Sequence, residues 1–334
     1  MASETSESEL LRKLSSLGYP SKKLHGADRQ LRLGIGDDAA LFVTRPGCEN
    51  VLTCDWSVEG IHFVTKTHPP DSIGWKCLAR AVSDLAAMGA QPKCFLMSLA
   101  LPASRTGAWL NGFLNGLGRA SKKFGCPLAG GDTTRHGRVL INVTAVGEVP
   151  AGTAVLRSGA RMGDGIYVSG HLGQAALGLR IVQRKRGRLV KTRNQALQKH
   201  FYPEPRLLLG RWLRERNLPT AMMDLSDGLS SDLNRLCAAS RVGANIETSR
   251  IPITQASKTG FTSTALSKLA LHGGEDYELL FTVPSEKARR IPRFFRGIPL
   301  TRIGQVTRGP SVLLTLPDGR QKALIPLGWD PFRS

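Results

Sequence analysis

Apolar residues recur along this chain with two periods, and the switches between them divide it into helices and strands. Residues 6–17 carry Leu10, Leu11, Leu14 and Leu17 at helical spacing and predict a short N-terminal helix. Short apolar runs at 39–43 and 51–54, bounded by turn residues, predict buried strands. Asp71 and Ser72 then cap a helix that runs to about Met88 and is stopped by Gly89. Its core stripe is Leu78, Ala81, Val82 and Leu85, which leaves Asp84 off the buried face. Residues 93–101 read as a strand, 106–124 as a helix despite its glycines, and 138–149 as an alternating strand.

Pro150, Ala151 and Gly152 form the natural division, giving domains 1–150 and 151–334. Beyond it the pattern starts afresh, with a strand at 165–169 and helices at 172–184 and 206–216. A strand at 220–224, a helix at 229–239 and strands at 244–247 and 277–283 follow. No strong internal repeat relates the halves. The expected fold class is therefore α/β (α+β) in two domains. The stretch 187–202 is polar and basic enough to be a loop or lid. The C-terminal segment 326–332 places Trp329 and Phe332 near the end of the chain, and such aromatics are expected to dock on the body.

Composition adds limits. A chain of 334 residues exceeds the usual single-core size, and 41% hydrophobic residues can fill real cores. No apolar run reaches spanning length, and residues 1–12 lack the apolar core of a signal peptide. Six cysteines without C-x-x-C spacing suit neither a zinc site nor a disulfide framework, so a reducing cytoplasm is the expected compartment. The net charge of +20 fits nucleic-acid binding or the steering of an anionic substrate such as ATP. The densest basic region, 180–199, contains Arg184, Lys185, Arg186, Arg188, Lys191 and Arg193, yet carries no recognisable nucleic-acid-binding motif.

Against that basic background, carboxylates gather beside glycines and small hydroxyl residues. The islands are Gly34 to Asp38, Thr53 to Asp55, Ser83-Asp84, Gly130 to Thr133, Asp224 to Gly228 and Gly273 to Asp276. Magnesium takes oxygen ligands, one or two carboxylates at a time, together with phosphates and waters. An enzyme that gathers ions on a triphosphate therefore needs acids from separate segments. Asp55 and Asp224 end apolar strands, Asp38 and Asp132 follow glycines, and Asp227 opens a helix whose terminus presents N–H groups to anions. Each acid also has a plainer reading. Asp84 can pair with Arg80 one turn away, and Asp227-Gly228 can be only a turn. There is no P-loop, dinucleotide fingerprint, protein-kinase signature or G-x-S-x-G elbow.

Taken together these islands resemble the thiamine-monophosphate kinase family, within the aminoimidazole ribonucleotide synthetase-like superfamily. The residues that carry the likeness are Gly34-Ile35-Gly36-Asp37-Asp38-Ala39-Ala40-Leu41 and Val58-Glu59-Gly60-x-His62-Phe63 after Asp55. Ser83-Asp84-Leu85-Ala86-Ala87-Met88-Gly89-Ala90, Gly130-Gly131-Asp132-Thr133-Thr134, Asp224-Leu225-Ser226-Asp227-Gly228-Leu229 and Gly273-Gly274-Glu275-Asp276-Tyr277-Glu278-Leu279 complete the set, in the family's order. The resemblance implies ATP-dependent phosphorylation of thiamine phosphate to thiamine diphosphate, the last step of that cofactor's biosynthesis, by magnesium-assisted in-line transfer. It implies several magnesium ions at Asp38, Thr53, Asp55, Asp84, Asp132, Asp224 and Asp227. Gly131, Asp132, Arg157 and Ser226 are implied as ATP contacts; His62, Glu275 and Trp329 as contacts to thiamine phosphate. No residue is assigned covalent catalysis. The implied assembly is a homodimer whose N-terminal sheets join into a barrel, with the N-terminal domain binding ATP and metal.

His62 and Trp329 also have packing readings, a core histidine and an anchored tail. Cys54 departs from the family's more usual threonine, Trp56-Ser57 is unusual, and the basic run at 184–193 has no counterpart in the pattern. Two alternatives stand beside the kinase. One is another ATP-using superfamily member, against which there is no cysteine before Cys48 and none at the C-terminus. The other is a nucleic-acid-binding protein on this scaffold. Nucleic acid is not the expected partner, because the acidic islands would repel a phosphate backbone, and no membrane partner is expected.

Overall fold

The computed structural model describes residue 13 and residues 30–35, 39–184, 194–254 and 260–332. The helix expected at 6–17 (apart from Lys13), the basic run from 185 to 193, and Asp37 and Asp38 lie outside the described residues. By contacts the chain forms two compact units. One contains the chain up to Leu85 with Ala90–Thr153; the other contains Ala86–Gly89, Ala154–Arg184 and the remainder of the described chain.

The first unit begins with a small antiparallel pair, β1 (Leu31–Leu33) and β2 (Leu41–Phe42). It continues through β3 (Cys48–Val58), α1 (Pro70–Ala87), β4 (Gln91–Leu101), α2 (Ala108–Phe124), β5 (Leu128–Arg135) and β6 (Leu140–Pro150). Four strands form one sheet in the order β3-β6-β4-β5. β6 pairs antiparallel with both β3 and β4, while β5 runs parallel to β4, as a crossover through α2 requires. Strand alternation gives this sheet two unlike faces. Val51, Ser57, Met97, Leu99, Ile141 and Val143 are buried. On the other face Leu52, Trp56 and Leu96 are 69%, 53% and 41% exposed. Cys54 and Leu96 both pair with Thr144, so these exposed positions are contiguous.

The second unit contains β7 (Gly165–Ser169), α3 (Gln174–Arg184), α4 (Gln195–Phe201), α5 (Leu207–Glu215), β8 (Ala221–Asp224), α6 (Leu229–Ser240) and β9 (Gly243–Glu247). α7 (Ser263–His272), β10 (Leu279–Val283), β11 (Phe294–Phe295), β12 (Ile298–Thr307), β13 (Val312–Thr315) and β14 (Gln321–Ala323) complete it. Its sheet has the order β14-β13-β9-β12-β7-β10-β8, with β11 on β12. The β13–β9 pair is parallel and the other pairs are antiparallel. β7, β8 and β10 are buried along their whole length because alternate residues feed two cores. Ile166, Val168, Met223 and Leu280 join one with Leu229, Leu233 and Ile303. Tyr167, Met222, Leu279 and Phe281 join the other with Leu209 and Leu213. A strand covered on both faces reads as a continuous apolar run, which is how these appear in the sequence.

Several expectations need correction. The loop or lid expected at 187–202 contains α4 instead. The Asn194 side chain caps it by accepting from the Ala196 N–H at 2.8 Å, and Ala196, Leu197, His200 and Phe201 bury one face. The strand expected at 39–43 narrows to the two residues of β2. The one expected at 51–54 grows to eleven, since β6 pairs with it from Cys48 to Val58. Among the described residues, no helix is long and apolar enough to cross a membrane.

Candidate active site

In the first unit, period-two alternation places Thr53 and Asp55 on one face of β3, and α1 carries Asp84 and Arg80 to them. The Thr53 hydroxyl donates a hydrogen bond to Asp84, and the Arg80 guanidinium lies 3.7 Å from Asp55. Asp84 thus faces β3, although it falls off the apolar stripe of its helix. Cys54 is on the opposite face, where its sulfur contacts the Asn142 amide at 3.1–3.2 Å. The side chain at 54 therefore does not belong to the oxygen set of Thr53, Asp55 and Asp84.

The rest of the first unit's predicted residues lie elsewhere. Gly131 and Asp132 are on β5, three strand spacings from β3 and hence about 14 Å across the sheet. Asp132 is exposed and accepts from the Thr133 N–H at 2.8 Å. His62 follows β3 in a turn and accepts the Val58 N–H at its Nδ1, 3.0 Å away. With His68, Ser72, Lys76 and Arg80 it lines a small cavity. The first unit thus brings Thr53, Asp55 and Asp84 together, but not Asp132.

In the second unit two motifs some fifty residues apart in sequence meet backbone to backbone. The N–H groups of Glu275 and Tyr277 donate to the carbonyls of Ser226 and Leu225 at 2.7 and 2.9 Å. Gly274 permits this approach, because a Cβ there would lie 2.6 Å from the Ser226 oxygen. Asp224, buried at the end of β8, thereby shares one corner with Ser226, Asp227 and Glu275. Glu275 holds positive φ (71°) and lies 3.4 Å from His200.

The C-terminal segment joins the same corner. The N–H groups of Leu327 and Gly328 donate to Ser230 and Ser231 at 3.3 and 3.0 Å, and that of Trp329 to the Asp227 carbonyl at 3.0 Å. The docking expected of this tail is made by its backbone. Its aromatics are not buried, with Trp329 41% and Phe332 95% exposed. Arg157 is exposed beside β8, whose Met222 N–H donates to the Leu156 carbonyl at 2.9 Å.

The start of α6 departs from expectation. The N–H groups of Asp227 and Gly228 do not point to an anion from outside, because the Asp232 carboxylate accepts both at 3.1 Å. Arg235 pairs with Asp227 and reaches Asp232 at 2.9 Å. Burial, and then the neighbouring Asp227 charge, push the Asp232 pKa up to about 7, against the pull of its N–H donors and Arg235. Asp232 and Arg235 were not singled out in the sequence. A carboxylate in a first helical turn looks like an ordinary response to the helix dipole.

Two further acids of this corner are structural. Asp276 caps α3 by accepting from Gly173 and Ala175 at 2.5 and 3.0 Å, and burial raises its pKa to about 6. Glu278 is 1% exposed and accepts from Ser169, Lys199 and Arg206 at 2.5–2.6 Å. Burial would raise its pKa, but the Lys199 and Arg206 cations outweigh burial and hold it at about 2.

Among the described residues, no three His, Cys, Asp or Glu side chains stand close enough to hold a metal alone. The oxygen sets at Thr53, Asp55 and Asp84 and at Asp224 and Asp227 still suit magnesium. The ion takes hard donors and one or two carboxylates, completing its shell with phosphate and water.

Comparison with known proteins agrees along the length of the chain. Residues 36–149 match the family described as AIR synthase related protein, N-terminal domain, and residues 161–316 match its C-terminal domain. The thiamine-monophosphate kinase of Synechococcus elongatus is 38% identical over 303 residues, covering 89% of this chain and 91% of that protein. The crystal structure of the thiamine-monophosphate kinase from Stenotrophomonas maltophilia K279a is 36% identical with a TM-score of 0.79, covering 88% of this chain and 93% of that one. AaThiL complexed with AMPPCP and TMP is 31% identical with a TM-score of 0.75, covering 99% of both chains. With its two domain matches in order and its relatives matched over nine-tenths of their length, the chain belongs to the thiamine-monophosphate kinase family of AIR synthase related proteins.

Proposed function

We propose that this protein is a thiamine-phosphate kinase, transferring the γ-phosphoryl group of ATP to thiamine phosphate to give thiamine diphosphate and ADP. The observation that carries the reading is the meeting of Asp224, Ser226, Asp227, Glu275 and Trp329 in one corner of the second unit. It occurs in a chain 38% identical to a thiamine-monophosphate kinase.

In this reading Asp38, Thr53, Asp55, Asp84, Asp132, Asp224 and Asp227 are the magnesium-binding residues. Gly131, Asp132, Arg157 and Ser226 contact ATP; His62, Glu275 and Trp329 contact thiamine phosphate. Residues 1–150 are the ATP- and metal-binding and dimerisation domain, 151–334 are the C-terminal α/β domain, and the enzyme works in the cytoplasm. Bound magnesium would supply charge neutralisation at the phosphates.

The chain's own residues position and neutralise. Thr53 orients Asp84 through its hydroxyl, Asp232 fixes the backbone of Asp227, and Arg157 offers a cation to a phosphate. Glu275 balances the positive thiazolium, and the Trp329 ring stacks on it. An acceptor phosphate oxygen is already anionic near neutral pH, so in-line attack on the γ-phosphorus needs no general base and no phosphoenzyme.

Incubation with ATP, magnesium and thiamine phosphate is expected to yield thiamine diphosphate, whereas unphosphorylated thiamine yields none. Absence of product, or a phosphorylated side chain trapped during turnover, would defeat the reading.

The exposed face formed by Leu52, Cys54, Trp56 and Leu96 supports a homodimer in which two such sheets close into a barrel. Trp56→Glu is expected to give monomers in sedimentation velocity; an unchanged dimer would remove this face from the interface.

A further inference from the structure

Away from that corner, α3, α7 and the residue Phe261 just before α7 border an open groove of about 560 Å³ lined by Arg180, Gln183, Arg184, Phe261, Lys268 and Leu269, with Ala265. The volume is that of a small-molecule site. Phe261, Ala265 and Leu269 form an apolar floor that is half-buried, while Arg180, Gln183, Arg184 and Lys268 are exposed around it. Helical spacing produces the arrangement, since Arg180 and Arg184 are one turn apart on α3, as are Ala265 and Leu269 on α7.

Charge is the second observation. Some arginines of this unit are committed to carboxylates, as Arg206 is to Glu278 and Arg235 to Asp227. Among the described residues, none of Arg180, Arg184 and Lys268 has a carboxylate within ion-pair distance. Three like charges around one concave surface repel one another and raise the local concentration of anions. The Arg184 guanidinium lies 3.9 Å from the Phe261 ring centroid, a stacked position that leaves its edge N–H donors for a planar or tetrahedral oxyanion. Three cations, an amide and an apolar floor match a flat ring bearing two or more phosphoryl charges.

We infer that this groove is a binding site for an organic diphosphate of the nucleoside diphosphate class. The phosphates meet Arg180, Arg184 and Lys268, and the ring lies on Phe261, Ala265 and Leu269. The site is separate from the corner at Asp227. Asp276 caps the N-terminal end of α3, and Arg180 and Arg184 stand about 9 and 15 Å further along that helix. The assignment does not depend on the activity proposed above.

The test is calorimetric titration of the full chain with ADP, and separately with inorganic diphosphate, in EDTA. Without a divalent ion the acidic segments repel a polyphosphate, and ADP binding that persists in Arg157→Ala belongs to the groove. Wild type is expected to bind one ADP per chain, more tightly than inorganic diphosphate. The double substitution Arg184→Ala with Lys268→Ala should weaken ADP by about 100-fold, and Lys268→Glu alone by about 10-fold or more. Both side chains are exposed, so circular dichroism should match wild type. Unchanged ADP affinity in both variants would overturn the site. Equal affinity for inorganic diphosphate and ADP would overturn the organic ligand. A single-stranded oligonucleotide that binds these cations and is not displaced by ADP would make the surface one for nucleic acid instead.

Discussion

Glu278 and Asp55 are both carboxylates in motif segments, and they are committed to opposite ends. Glu278 is sealed under the second unit's sheet, with Ser169, Lys199 and Arg206 saturating its oxygens. Asp55 stands 27% exposed on β3, with Arg80 at the edge of ion-pair range. One acid is sealed inside the fold; the other stays open to solvent on its strand. Membership of a motif does not separate these roles, whereas burial does.

The sharpest way to break the contrast is to neutralise each acid in turn. Glu278→Gln leaves Lys199 and Arg206 as poorly compensated, half-buried cations around a buried position and is expected to cost about 3–5 kcal/mol of stability. Chemical denaturation reads this directly, and a loss no larger than about 1 kcal/mol, the ordinary cost of a substitution, would reassign Glu278 to the site. Asp55→Asn is expected to do the reverse. Turnover should fall by about 100- to 1,000-fold while the melting midpoint stays near wild type. Asp224→Asn should behave likewise; if both variants merely unfold, the ligand assignment loses its support.

Acid titration sharpens the same contrast. The folded pKa of Glu278 is depressed to about 2 from an ordinary 4.5, so its contribution is complete above about 4.5 and is lost as pH falls towards 2. Wild type should therefore lose stability across that window more steeply than Glu278→Gln; parallel curves would contradict the pairing. The smallest effect is expected from Trp329→Ala. Its backbone N–H and those of Leu327 and Gly328 anchor the C-terminal segment, so stability should hold while KM for thiamine phosphate rises about 10-fold. A lowered melting midpoint with unchanged KM would make the ring a tail anchor instead.

How far the sequence could be read follows from where structure is decided. α1, β7, β8 and α6 were legible because caps, glycines and apolar runs are local signals. β5 was not, since Gly130 and Gly131 give it poor strand character and its pairing with β4 supplies the order. β12 was hidden by Pro299 and by an irregularity between Arg302 and Gly304 that interrupts alternation. In the site, each acid could be nominated singly from its neighbours. That Asp84 would meet Thr53 while Asp132 sits across the sheet depends on α1 packing and strand order, which no short motif encodes.

The strap at 327–329 separates attachment from recognition. It is tied through three main-chain donors, which remain whatever side chain stands at 329. Position 328 has no such latitude, because any Cβ there would lie 2.2 Å from the Asp227 oxygen. A library restricted to residue 329 would therefore vary an exposed side chain at the corner of Asp227 while its three main-chain ties stay available, and on the proposed reading it is the place to look for altered acceptor preference.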